Sequence, residues 1–160
     1  MATAVQAIRY RRSANQWGTV TPISEIPTWY VEALETVERL ARLSANWDGY
    51  GSLDIRLPAK TAALELLPVL ALYGAEAPHL APVPSGGLQF EWDFEGRQLE
   101  VEIRPTGEIE FLTADATEDM LEGPMSDPWK QVPLLLQWLQ TGNFEVTWRY
   151  LEHQYATSRS

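Results

Sequence analysis

Carboxylates are the most abundant chemistry-bearing side chains in this sequence, with 22 Asp and Glu against 2 His and no Cys. The segment Asn46-Trp47-Asp48-Gly49-Tyr50-Gly51-Ser52, continued to Asp54, puts oxygen-bearing side chains at alternate positions 46, 48, 50, 52 and 54. That is the spacing of a calcium loop, and Gly51 falls where such a loop bends. The twelfth position is Leu57, where a bidentate Glu is required, and the fifth is Tyr50. Without its strongest ligand the segment reads better as a turn. A second concentration comprises Glu91, Asp93, Glu95, Glu100, Glu102, Glu108 and Glu110, at alternate positions in three successive segments. Opposed carboxylates such as Glu91 and Glu102 can hold a hard cation. A pair with one raised pKa in a cleft can cleave a glycosidic bond. Nothing in the spacing specifies a closed cage, and an open face desolvates neither carboxyl.

Nucleophilic catalysis has little to draw on. The imidazoles are His79, after Pro78 in a connecting stretch, and His153 near the C-terminal end, and neither adjoins a recognisable nucleophile motif. Ser85-Gly86-Gly87 lacks the lysine and following helix of a phosphate loop and leads into a strand pattern. The absence of cysteine excludes disulfides and thiolate metal sites, and there is no zinc signature. The sequence therefore calls for no catalytic residue, no metal and no cofactor.

Charge is distributed unevenly. Residues 1–24 carry Arg9, Arg11 and Arg12 and no acid, a charge of +3, while residues 25–160 set 9 basic residues against 22 acidic ones, a charge of −13. A body this acidic repels nucleic-acid phosphates, which disfavours direct DNA or RNA binding, and its electrostatic complement is a basic protein surface. The same charge also keeps a small domain soluble without any partner. Tyr10 among its arginines offers charge and stacking to a nucleic acid or an acidic partner, but three arginines are few, and a disordered arm or one folded onto its own acidic body accounts for them better. The apolar runs are too short to span a bilayer, and no secretory leader is expected. Together with the missing cysteines, this sets the expected location in the cytoplasm.

The elements that must position these groups follow from hydrophobic period. Residues 1–24 show none and read as a loosely ordered basic arm, residues 25–152 as one α+β domain, and residues 153–160 as a frayed tail. Ile26, Trp29, Tyr30, Ala33, Leu34, Val37, Leu40 and Ala41 recur on one helical face, with Ser24 as a cap and Glu38 spaced to pair with Arg42. A second helix is expected from Pro58 to Tyr73, kinked or shortened at Pro68, and residues 75–87 read as a connection. The period then changes to two. Leu88, Phe90, Trp92 and Phe94, then Leu99, Val101 and Ile103, then Ile109 and Phe111 alternate with the acids, predicting a three-stranded antiparallel meander with one apolar and one acidic face. Residues 113–127 read as an acidic loop, Pro128 to Gln140 as a third helix capped by Asp127 and stopped by Gly142, and Phe144 to Tyr150 as a fourth strand. The helices are the available cover for the apolar sheet face.

The turn N-W-D-G-Y-G after an amphipathic helix, followed by P-V-P-S-G-G-L-Q-F-E-W, resembles a group of small bacterial and phage proteins. They share an N-W-D-G-Y-G/A turn and a P-x-x-x-G-G-x-x-x-E-W strand. The resemblance covers roughly residues 35–112. It implies one ordered domain and carries over no catalytic residue. The expectation is a non-enzymatic module, such as an inhibitor, an antitoxin-like partner or an accessory subunit, that binds a basic protein. Glu91, Asp93, Glu100, Glu102 and Glu110 would form the contact face, with Trp47 and Tyr50 as aromatic contacts. The alternatives are a carboxylate- or metal-dependent hydrolase in which Asp48 converges with Glu91 or Asp93, and a subunit of a homo-oligomer or virion.

Overall fold

The computed structural model describes residues 8–11, 19–22, 26–117 and 120–143. Within the segment expected to be an arm, strands β1 (Ile8–Arg11) and β2 (Thr19–Pro22) pair antiparallel, Arg9 opposite Thr21. Helix α1 (Thr28–Leu40) buries Ala33, Val37 and Leu40, three members of the predicted stripe. Its cap position is held by Pro27 rather than Ser24. Helix α2 (Leu57–Leu72) runs through Pro68 without being cut short. Leu66, Leu67, Leu70 and Ala71 are buried on either side of that proline, and their burial outweighs the missing backbone hydrogen bond. Glu38 does not take Arg42 as its cation; it reaches Lys60 of α2 at 2.8 Å and links the two helices.

Among the described residues the sheet has five antiparallel strands in sequential order: β3 (His79–Val83), β4 (Gly87–Phe94), β5 (Arg97–Ile103), β6 (Ile109–Ala114) and β7 (Met120–Met125). The predicted meander is its centre. Both flanking strands correct the sequence reading, which assigned residues 75–87 to a connection and residues 113–127 to a loop. Each is an outer strand among the described residues and carries a proline, Pro82 in β3 and Pro124 in β7, with Gly123 beside the latter. An edge strand hydrogen-bonds along one side only, so it tolerates proline and needs no strong alternation of its own. The fourth strand expected at residues 144–150 lies outside the described residues.

Helix α3 (Pro128–Thr141) follows, with Asp127 at the cap position. The Asp127 side chain makes no capping bond. Instead the buried Gln131 carboxamide reaches back and accepts the Asp127 backbone N–H at 2.9 Å. Gly142 ends the helix in a left-handed conformation, φ 67°, and donates its N–H to the Trp138 carbonyl. Arg97 anchors this end: its guanidinium donates to the Leu139 and Gln140 carbonyls at 2.7 and 3.2 Å and lies over the Phe94 ring. A cation there also suits the negative end of the helix.

One hydrophobic core unites these elements. Leu88, Phe90, Leu99, Val101 and Ile103 from the sheet are fully excluded from water and cluster with Leu66, Leu67, Leu70, Leu135 and Trp138 from α2 and α3. The helices thus cover the apolar sheet face, and the α+β architecture with an antiparallel sheet agrees with the sequence reading.

Candidate functional site

The ladder register determines which acids meet on the uncovered face. Leu88, Phe90 and Trp92 point into the core, so Gln89, Glu91 and Asp93 point away from it. Across the strands Glu91 stands directly opposite Glu100, and Glu102 opposite Glu110. Asp93 faces Gln98, and Glu102 faces Gln89 on its other side. The expected pair Glu91 and Glu102 is therefore diagonal, and the opposed pairs are different ones. Glu91, Asp93, Glu100, Glu102 and Glu110 share one face, as the alternation predicts.

An imidazole and a guanidinium sit at the ends of this acidic diagonal. The His79 imidazole Nδ1 lies 3.1 Å from Glu91, whose other oxygen accepts the Gln89 amide at 3.0 Å. Arg104 pairs with Glu110 at 2.8 Å. Neither Glu100 nor Glu102, at the centre, has a cationic partner among the described residues. Partial burial, reinforced by the neighbouring Glu91 and Glu102 carboxylates, pushes the Glu100 carboxyl above its ordinary value. Arg97, at the start of β5, is engaged at the end of α3. His79 was legible only as a connector residue; its opposition to Glu91 depends on β3, which the sequence did not reveal.

Trp47 and Tyr50 belong to a different construction. The Asp48 carboxylate accepts the backbone N–H groups of Tyr50 and Ser52, the Asn46 side chain accepts that of Gly51, and the Asn46 N–H donates to the Ser52 carbonyl. Those backbone donors, Tyr50 first, hold the Asp48 carboxyl below its ordinary value. Asn46, Gly49 and Gly51 take positive φ angles of 64°, 79° and 91°, which is what folds the segment back on itself. The Trp47 indole donates to the Leu53 carbonyl at 3.1 Å, leaving Tyr50, 94% exposed, as the aromatic ring in the loop that faces solvent.

This loop is fastened to the start of the sheet. Leu53 N–H donates to the Pro84 carbonyl and Arg56 N–H to the Gly86 carbonyl, so the two motifs quoted above meet in space. Gly87 adjoins the Ile103 carbonyl too closely for any side chain. The motif glycines are therefore explained by positive φ at Gly49, Gly51 and Gly86 and by close backbone approach at Gly86 and Gly87, without a phosphate or any other ligand.

The hydrolase alternative requires a cleft joining Asp48 to Glu91 or Asp93. A groove of about 220 Å³ between α2 and α3 is lined by none of the three. Among the described residues no group of three or more His, Asp or Glu side chains is placed to hold a metal ion, and no helix is long and apolar enough to cross a membrane. No family model, curated protein or solved structure matches the chain, so the resemblance rests on its two motifs alone.

Proposed function

We propose that this chain is a non-enzymatic interaction module of the cytoplasm that captures a basic protein through the open face of its sheet, as an inhibitor, antitoxin-like partner or accessory subunit. The observation that carries this reading is the central Glu100 and Glu102, each opposed by another glutamate and neither paired with a cation among the described residues. Like charges placed opposite one another cost up to about 1 kcal/mol per pair. An arginine- or lysine-bearing surface laid over β4–β6 would turn that cost into attraction, and its charge would speed the encounter. Strand geometry sets the carboxylates roughly 5 Å apart across the sheet and roughly 7 Å apart along β5. A partner with two or more cations at comparable spacing fits best. Tyr50, exposed on a loop whose backbone is pinned by Asp48, supplies an aromatic contact.

The test is affinity capture from the source cell, comparing the native chain with a variant carrying Glu91→Lys, Glu100→Lys, Glu102→Lys and Glu110→Lys, followed by mass spectrometry. A basic protein retained by the native chain, released by moderate salt and absent from the variant is the expected result. Equal recovery by both chains would overturn the reading.

A further inference from the structure

The groove on the helix side of the molecule has a composition suited to one kind of guest. Its floor is apolar, formed by the buried Leu66, Ile109 and Met125. One wall is the Trp129 ring, left 46% exposed near the start of α3. Glu65 of α2 and Glu108, just before β6, also line it. Both glutamates are exposed, and neither is paired with a cation among the described residues; Glu108 accepts only the Thr106 hydroxyl, at 3.1 Å. The volume of about 220 Å³ falls below the roughly 300–1,000 Å³ of pockets for drug-sized ligands. That suits a single long side chain better than a cofactor.

We propose that this groove receives one lysine or arginine side chain of a protein partner. Its methylene stem would lie on Leu66, Ile109 and Met125, its cationic head would meet Glu65 and Glu108, and the Trp129 face would flank the charge. Long cationic side chains have this amphipathic form, apolar along the stem and charged at the tip. An aromatic face attracts a cation, and paired carboxylates accept its N–H donors. An acidic guest would be repelled. A purely apolar guest would fill the floor and leave both carboxylates unanswered. This surface is separate from the open sheet face, and the proposal stands or falls independently of that reading.

The blocked single-residue amides N-acetyl-lysine methylamide, N-acetyl-arginine methylamide and N-acetyl-norleucine methylamide test it directly, because norleucine keeps the stem and removes the charge. The readout is the indole N–H resonance of Trp129 in the full chain, assigned with Trp129→Phe. Saturable millimolar shifts are expected with the lysine and arginine amides and not with norleucine. The double variant Glu65→Gln, Glu108→Gln should weaken the response about tenfold. Both substitutions are at exposed positions, and an unchanged amide spectrum elsewhere would verify the fold. An equal response to norleucine would overturn the cationic assignment, and no response to any amide would overturn the groove as a binding site. A markedly stronger response to free butylamine would replace the protein side chain with a small amine.

Discussion

Asp48 and Glu100 are surface carboxylates of one small domain in opposite electrostatic situations. Asp48 collects backbone N–H groups from its own loop, which hold its carboxyl below the ordinary value. Glu100 is partly sunk into the sheet between other glutamates, and its carboxyl is raised. The loop has resolved its charge internally; the sheet face has not. The repulsion persists because the positions are dictated from beneath. Phe90 and Val101 are fully buried on the reverse side of the same strands. Burying such a side chain is worth roughly 1.5–3 kcal/mol, against about 0.2–1 kcal/mol for an opposed pair of like charges. The core wins, and the glutamates are carried into opposition. A carboxylate satisfied within its own loop indicates structure, whereas unrelieved carboxylates on a rigid face indicate a surface that attracts cations.

The most severe way to break this contrast is to remove its foundation. Phe90→Ala should cost about 3–5 kcal/mol in urea unfolding; a loss below about 1 kcal/mol would mean that the core does not hold the acids in register. Gly87→Ala should cost about 1–3 kcal/mol by overpacking, because the new methyl would collide with the Ile103 backbone carbonyl and force the start of β4 away from the end of β5. Asp48→Ala isolates the loop, and a smaller loss is expected. A carboxyl with a depressed folded pKa stabilises fully above its unfolded value and loses that contribution as pH falls through the folded one. The difference in melting temperature between native and Asp48→Ala chains should therefore be present at neutral pH and close in acid. A difference independent of pH would show that the carboxylate is not the element holding the loop.

The strong periods were legible in the sequence. Alternation from Leu88 to Phe111 gave the central strands and placed the five acids on one face, and Ala33, Val37 and Leu40 marked the buried side of the first helix. The weak periods were not. β3 and β7 contain Pro82, Gly123 and Pro124, residues that ordinarily argue against a strand, and only their neighbours in the sheet make them strands. The identity of the opposed acids was hidden for a related reason. Alternation shows that glutamates share a face, but which glutamate meets which depends on hairpin turns. The left-handed Glu95-Gly96 turn, φ 49° and 76°, aligns Phe94 with Arg97 and thereby Glu91 with Glu100. The groove at Trp129 combines side chains from α2, from the segments around β6 and β7, and from α3, a convergence that no local pattern announces.

The smallest expected effect bears most directly on the open face, and it has the opposite sign. Glu100→Gln keeps the shape of the side chain and removes its charge. A carboxyl whose folded pKa is raised costs stability when ionised. The native chain therefore becomes less stable as pH rises from the unfolded value through the folded one, and keeps that deficit above it. The variant should consequently be more stable than the native chain at neutral pH, by about 0.2–1 kcal/mol on the scale of one like-charge opposition. The advantage should shrink as pH falls through the folded Glu100 value and vanish once the native carboxyl is protonated in both states. High salt should shrink it as well, since Glu100 is only partly buried and its repulsion from Glu91 and Glu102 is screened. If Glu100→Gln instead destabilised the domain at neutral pH, the Glu100 carboxylate would be holding a favourable partner, and the face would be as self-satisfied as the Asp48 loop. Its claim on a basic protein would then have no electrostatic basis.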